Sequence, residues 1–326
     1  MTDGPVKTVQ VEAHGRLHFG VLDLRGSLGR WFGGIGAAAP APRLRLSART
    51  AAGVTADGPD SARAVEFARR FLQHHQLAGG THIVIEQALP SHTGLGSGTQ
   101  LALAVGRALA ELYDVPTDPV ALSFAVGRGR RSAIGTWIFS GGGLVVEGGH
   151  AREREGCGPL IARIELPAEW HCVLAIPSGQ DGLSGSAEAS AFAALPEPPQ
   201  HEIERVAHLV LMALLPAAAE GDLSTFGRAL TAIQQVNGRW FAAAQGDTFA
   251  PGLPRTLIDL MLAAGAAGAG QSSWGPAVYG IVDGKVAADA LAARVATALG
   301  SDGNVYCGPF PNTGARVSRT VSGVRS

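Results

Sequence analysis

Pro90-Ser-His-Thr-Gly-Leu-Gly-Ser-Gly-Thr-Gln-Leu-Ala-Leu-Ala-Val-Gly-Arg-Ala-Leu-Ala-Glu-Leu112 is a glycine-rich turn that runs straight into an amphipathic helix, and its reading decides the fold. Leu101, Ala104, Val105, Ala108, Leu109 and Leu112 recur at three and four residues and make one apolar stripe. Upstream, Thr81-His-Ile-Val-Ile-Glu-Gln87 alternates and is rich in β-branched residues, as a strand is. The order is therefore strand, glycine-rich loop, helix. Gly94, Gly96 and Gly98 lack the β-carbons that would keep an anion from the backbone, and the first-turn N–H groups of a helix have no internal partners. With Ser97 and Thr99 among them these glycines predict a phosphate site; a plain tight turn is the competing reading. The loop is not a Walker A motif, because Thr99 and Gln100 stand where a Lys-Ser/Thr pair would follow Gly98. Nor is it a dinucleotide fingerprint: the glycine spacing departs from G-x-G-x-x-G, and no acidic residue ends a strand about 20 residues on.

A chain of 326 residues exceeds the usual size of one core, so two lobes are expected, divided here as 1–165 and 166–326. Hydrophobic residues make up 46% and charged residues 16%, enough core material for a soluble globular protein. A net charge of −1 offers no general field for nucleic acid or an anionic membrane, so anion binding must be local. Lysines are confined to Lys7 and Lys285, which leaves 24 of the 26 basic residues as arginines, the side chain that grips phosphate in a fork. Cys157, Cys172 and Cys307 are odd in number, far apart and not grouped with histidines, which indicates reduced thiols rather than disulfides or zinc. The start carries no basic-then-apolar signal and no uncharged apolar run reaches 18 residues; a cytoplasmic protein is expected.

Arg16, His18 and Asp23 crowd one short segment after a strand at 6–13. Residues 26–40 hold Gly26, Gly29, Gly33, Gly34 and Gly36 around Trp31 and Phe32, a composition that predicts a loop covering a ligand. Strands are expected at 43–48 and 81–87 with a helix at 61–76 between them, and Arg63 lies on that helix's polar face as a bystander. Arg128, Arg130 and Arg131 share a glycine-broken turn that continues through Ser132 to Thr136, and they repel one another unless an anion or carboxylates sit among them. In the second lobe, strands at 171–176, 277–282 and 303–307 and helices near 201–215, 222–235, 253–264 and 286–298 surround a second glycine-rich loop, 265–276, carrying Gln271, Ser272, Ser273 and Trp274.

Pro90, Gly94, Leu95, Gly96 and Ser97 resemble the phosphate loop of the GHMP kinase superfamily. Across nearly the whole chain, Arg16-Leu-His-Phe-Gly-Val-Leu-Asp23, Gly94–Gln100, Gly127–Thr136, Gly182-Leu-Ser-Gly185 and Gly270-Gln-Ser-Ser-Trp-Gly-Pro276 resemble the motifs of a non-kinase branch, the β-ribofuranosylaminobenzene 5′-phosphate synthases. That resemblance implies an α+β, GHMP kinase-like two-lobed fold, with mixed and antiparallel sheets and helices packed on them. It implies condensation of 5-phosphoribosyl 1-diphosphate with 4-aminobenzoate or 4-hydroxybenzoate, releasing CO2 and diphosphate without ATP, on the way to methanopterin-type C1 carriers. A homodimer is expected as well, and so is Mg2+, because about three negative charges on the departing diphosphate exceed what one helix end, worth about half a charge, can balance. Arg16, His18, Asp23 and Arg131 are then the expected catalytic residues, with Asp23 also a Mg2+ contact. Gly94 to Thr99, Arg128, Arg130, Ser132, Thr136 and Gln271 to Trp274 are expected around the substrates, and Trp274, Trp137 and Trp31 as walls for the aromatic ring. Ser132–Phe139 has no carboxylate where most of the kinases place a catalytic aspartate, which weakens phosphoryl transfer. An ATP-dependent small-molecule kinase of the same superfamily, and a relative that binds a phosphosugar without turnover, remain the alternatives.

Overall fold

Eighteen residues, Val6–Asp23, form β1, and Arg30–Ala51 return against it as β2, an antiparallel pair twice as long as an ordinary hairpin. The computed structural model describes residues 6–129, 131–151, 156–179, 181–183 and 185–322. The chain continues through β3 (Thr55–Asp57), α1 (Ser61–His74), β4 (Gly80–Gln87), α2 (Ser97–Leu112), α3 (Pro119–Ala125), α4 (Ile134–Gly141), β5 (Leu144–Glu147), β6 (His150–Ala151) and β7 (Leu160–Ile164). Then follow β8 (Trp170–Pro177), α5 (Gly185–Ala194), α6 (Gln200–Leu209), a π-helical turn (Val210–Leu214), α7 (Leu215–Glu220), α8 (Leu223–Gln245) and α9 (Leu253–Ala263). The chain closes with β9 (Gly268–Gln271), β10 (Val278–Asp283), α10 (Gly284–Leu299), β11 (Gly303–Pro309) and β12 (Arg316–Ser322).

Two sheets result. The first is built on β12-β1-β2-β4-β3 with β5, β6 and β7 attached, and the second runs β11-β8-β10-β9. All pairings are antiparallel except β3 with β4. The sheets change between β7 and β8, near residue 165, but β12 pairs with β1 from Val6↔Ser322 to Glu12↔Arg316, so the last strand belongs to the first sheet rather than to the segment 166–326 as a whole.

One core lies under α1 and α2, where Phe67, Phe71, Leu101 and Val105 meet Val9, Leu44 and Ile83. A second joins the two sheets: Leu17, Phe19 and Ile35 pack with Trp170, Leu174, Phe226 and Ile233. α8 thus lies along β1 and brings its buried face to the strand that carries Arg16 and His18. The stretch expected as a loop at 26–40 is mostly strand. Gly36 allows this, since a β-carbon there would come 2.4 Å from the Leu17 carbonyl and 2.6 Å from Ile134, leaving no room for any other residue where α4 crosses the sheet. The expected loop at 265–276 likewise contains β9, and only its Ser272–Gly275 end turns. No described helix is long and apolar enough to cross a membrane.

Candidate active site

The glycine-rich loop ends with Gly96 in the left-handed region, φ 70°, as the cap of α2. The N–H groups of Thr99 and Gln100 turn back to the Gly96 carbonyl at 3.0 Å each, which leaves those of Ser97 and Gly98 without intrahelical partners. No acidic residue occupies the first turn, so no carboxylate of α2 neutralises the positive end of the helix. Gly94, at φ 82°, touches the second glycine-rich loop: a β-carbon would lie 2.1 Å from the Ser272 carbonyl. Ser272 ties these segments together. Its fully buried Oγ donates to the Gly94 carbonyl at 2.6 Å and accepts the His18 N–H at 2.9 Å. A third segment closes over both loops, with the Gly182 N–H donating to the His92 carbonyl at 2.7 Å and its α-carbon facing the Gly275 carbonyl. Leu95 contributes backbone only; its side chain is in the core and its carbonyl accepts the Arg16 N–H at 2.9 Å.

β1 carries two register shifts, between His14 and Arg16 and between His18 and Gly20, so bulges bracket the two functional residues and turn them off the regular ladder. Arg16 donates through Nη1 to the Gly94 carbonyl. Burial lowers its pKa to about 10, which keeps it charged at neutral pH. Arg16, Arg63, Arg128 and Arg131 line the cleft beside the glycine loop, against two carboxylates, Asp60 and Glu188. Asp60 lies 3.4 Å from Arg63, and Glu188 lies 3.2 Å from Arg131. Arg128 sits 4.8 Å above the Phe67 ring, and burial, then the neighbouring Arg63 and Arg70, lower its pKa. Cations pressed together in this way are what an anion relieves.

Arg63, expected as a bystander, belongs to this cleft: a β-carbon on Gly98 would meet its Nη2 at 2.2 Å. The start of α1 points at the start of α2, an arrangement that helical periodicity within α1 does not reveal. Arg63→Ala and Arg131→Ala should each weaken phosphoribosyl diphosphate binding at least tenfold by calorimetry, as expected for a charged hydrogen bond worth about 1.5–3 kcal/mol. Arg294→Ala, on the exposed face of α10, is the control. Equal affinity in all three would make the arginines a solvated patch.

A second cavity opens from the cleft across Arg16, Arg131, Glu188, Ser273 and Trp274, which line both. Its walls are aromatic. Trp274 meets Phe241 at 4.9 Å and Phe192 at 5.4 Å between ring centroids, and Phe192 meets Phe32 at 5.7 Å, all edge to face. Phe32 and Ser273 hold positive φ, 67° and 56°, conformations that non-glycine residues keep only where their surroundings enforce them.

His18 lines this cavity, and burial, then the Arg16 charge, push its pKa down to about 3, so the ring is neutral at pH 7 and does not serve as an imidazolium acid. The unfolded chain takes a proton at this residue as pH falls through 6.5, whereas the folded chain does not until about 3. The stability that His18 contributes is therefore complete above pH 6.5 and lost progressively below it, by about 2 kcal/mol at pH 5. Urea denaturation at pH 7 and pH 5 should show His18→Gln losing correspondingly less than the parent; an identical loss would contradict the neutral ring.

Other expected residues fall elsewhere. Asp23 accepts the N–H groups of Arg25 (2.6 Å) and Gly26 (2.8 Å) through one oxygen, shaping the β1–β2 turn, and lines neither cavity. Thr136 is buried, 3.1 Å from the Ser123 hydroxyl, away from both cavities. Trp137 donates to the Gly158 carbonyl at 2.8 Å, and Trp31 stacks over Gly26, so Phe32, Phe192 and Phe241 form the walls expected of these two. Ser132 lines the aromatic cavity. Gln271 does too, but its side chain is committed to Ala250, Gln245 and Ser273. Arg130 lies outside the described residues. Among the described residues no three His, Cys, Asp or Glu gather as a metal site. A Mg2+ ion that keeps its waters needs only one or two carboxylates beside substrate phosphates. Asp60 and Glu188 fit that need at the cleft, and Asp23 does not. Sequence reasoning missed Asp60, Ser91, Glu188, Phe192, Asn237 and Phe241. Two signals were there: Glu188 and Phe192 are spaced i, i+4, and Gln234 and Asn237 are polar residues within the buried stripe of α8.

The GHMP kinases N terminal domain model matches residues 62–137, and the GHMP kinases C terminal model matches residues 214–301. A homoserine kinase from Cytophaga hutchinsonii superposes with a TM-score of 0.71 at 16% identity, covering 95% of this chain and 97% of that one. Mevalonate diphosphate decarboxylase from Staphylococcus aureus superposes at 0.66 and 12%, covering 96% and 98%. These likenesses establish the fold as the two-lobed α+β GHMP kinase fold. Beta-ribofuranosylphenol 5'-phosphate synthase of Methanothermobacter thermautotrophicus is 37% identical over 291 residues, 83% of this chain and 87% of the relative. The protein of the same name from Archaeoglobus fulgidus is 36% identical over 280 residues, 82% and 86%. The chain belongs to the β-ribofuranosylphenol 5′-phosphate synthase family, a branch of the GHMP kinase superfamily.

Proposed function

We propose that the protein condenses 5-phosphoribosyl 1-diphosphate with a 4-hydroxy- or 4-aminobenzoate, releasing CO2 and diphosphate, in the biosynthesis of tetrahydromethanopterin-type C1 carriers. The observation that carries this reading is the junction of an arginine-lined cleft with an aromatic-walled cavity across Arg16, Arg131, Glu188, Ser273 and Trp274. One compartment suits the phosphates and the other a flat aromatic acid. The names of the relatives, which refer to a ribofuranosylphenol, support the same chemistry.

As the bond between the anomeric carbon and diphosphate breaks, negative charge grows on the leaving group, where the Ser97 and Gly98 N–H groups and the arginines can hold it. The ring carbon bearing the carboxylate attacks the anomeric carbon, and loss of CO2 restores aromaticity. Trp274, Phe192 and Phe241 hold the ring in line and exclude water, which such a step requires more than acid–base help. A Mg2+ ion arriving with the diphosphate, held by Asp60 or Glu188, would offset further leaving-group charge. Phosphoryl transfer is disfavoured. The glycine loop lacks the P-loop lysine, and α4 carries no carboxylate. Carbon NMR of the product made from ring-labelled benzoate should detect a ribosyl–aryl carbon–carbon bond, and EDTA should depress the rate steeply. A product joined through oxygen or nitrogen, with the carboxylate retained, would overturn the proposal.

A further inference from the structure

We infer that Asn237 reads the para substituent of the aromatic acid, offering its amide N–H to an oxygen and so selecting hydroxybenzoate over aminobenzoate. The inference rests on the function proposed above. Asn237 is 4% exposed on the buried face of α8 and lines the aromatic cavity. Its orientation is fixed: the Val21 N–H donates to Oδ1 at 2.5 Å, and a backbone N–H can only donate. Gly20 makes this approach possible, since a β-carbon there would lie 2.6 Å from Oδ1. Nδ2 is consequently turned to the other side, where it has no hydrogen-bond partner among the described residues.

A buried amide donor needs an acceptor, from water or from a bound group, and at the wall of a ligand cavity a bound group can supply it. The other amides of the cavity are already committed to protein groups. Gln234 donates to the Phe19 carbonyl and accepts the Gln271 N–H at 2.8 Å. Gln245 donates to the carbonyls of Asp247 (2.9 Å) and Thr248 (2.8 Å). Orientation of the acid follows from charge and from the reaction. Its carboxylate end must face the ribosyl carbon and the shared arginines Arg16 and Arg131, whereas Asn237 lines the aromatic cavity and not the cleft. The para group is therefore the end of the acid that lies toward Asn237 and its unpartnered Nδ2.

The two acids differ at that atom throughout the step. With hydroxybenzoate, the phenolic proton passes to bulk water as the acid binds, the ring carbon bonds to the anomeric carbon, and diphosphate leaves with the pair from the broken C–O bond. The para atom is then a carbonyl oxygen, which can only accept. When CO2 leaves, its bonding pair returns to the ring, and the phenolate regains a proton. With aminobenzoate, the corresponding para group is an iminium, which presents only N–H and faces Nδ2 donor to donor. Nδ2 thus stabilises the first course and opposes the second.

Asn237→Asp tests this, because it keeps the acceptor for Val21 and replaces the donor by an acceptor. Calorimetry with 4-hydroxybenzoate and 4-aminobenzoate, and kcat/KM for each, should show the parent favouring the hydroxy acid by at least about tenfold, the size expected when a buried polar group is left unpaired. The variant should lose or invert that preference, with KM for phosphoribosyl diphosphate unchanged. Gly20→Ala, which displaces the amide without altering it, should also erode the preference and serves if Asn237→Asp does not fold. An unchanged ratio in a folded variant, a parent without preference, or a parent that binds neither acid overturns the inference. Selective binding without CO2 release overturns the synthase reading instead and leaves the role of Asn237 standing.

Discussion

Gly96→Val lowers the affinity for phosphoribosyl diphosphate at least a hundredfold while the chain stays folded. Gly96 caps α2 at φ 70°, a conformation that a β-branched residue adopts only with strain. Valine either twists the first turn of α2 or relaxes toward negative φ, and in both cases the N–H groups of Ser97 and Gly98 no longer point into the cleft. Its β-carbon also falls 2.9 Å from Arg16 Cγ and pushes that guanidinium off the Gly94 carbonyl. Two charge-assisted hydrogen bonds at about 1.5–3 kcal/mol each exceed a factor of one hundred. The core under α2 is untouched, because Leu101, Val105 and Leu109 lie further along the helix. Calorimetry beside circular dichroism decides the matter, and wild-type affinity in a folded variant would remove this loop from the site.

Arg16→Ala should reduce kcat/KM at least about a thousandfold, beyond what one electrostatic donor usually supplies, because Arg16 faces both compartments and also ties down the glycine loop. Arg16→Lys should restore little, since an ammonium cannot hold the Gly94 carbonyl and an anion in one planar fork. Steady-state kinetics on both variants provide the check. A loss below tenfold would make Arg16 part of the scaffold only.

The strand, glycine loop and helix of residues 81–112 were legible because glycine placement and helical periodicity are local properties of the chain. So were Arg16 and His18, whose crowding on one short segment marked β1 as functional. Asp23 misled for the same reason: proximity in sequence put it with them, but the strand had already reached its turn, where the carboxylate satisfies backbone N–H groups. The stretch 26–40 read as a loop because glycine is unfavourable in strands; the missing fact was the close crossing of α4, which only glycine tolerates. Arg63 and the phenylalanine walls depend on which helix ends and faces meet across the two sheets. Single-helix periodicity carries no information of that kind. Trp137 and Trp31 were expected as walls on residue type alone, and Phe192 and Phe241 occupy that place because α5 and α8 converge on Trp274. β12 was missed for a simpler reason: Arg316–Ser322 is a polar edge strand whose exposed face leaves little apolar alternation to detect.

The most direct test of the account is release of labelled CO2 from carboxyl-14C 4-hydroxybenzoate by the purified protein with Mg2+ present. CO2 should appear only when phosphoribosyl diphosphate is added, in step with diphosphate and indifferent to ATP. CO2 released without phosphoribosyl diphosphate, or ADP formed from ATP with a sugar or amino-alcohol acceptor, would contradict it.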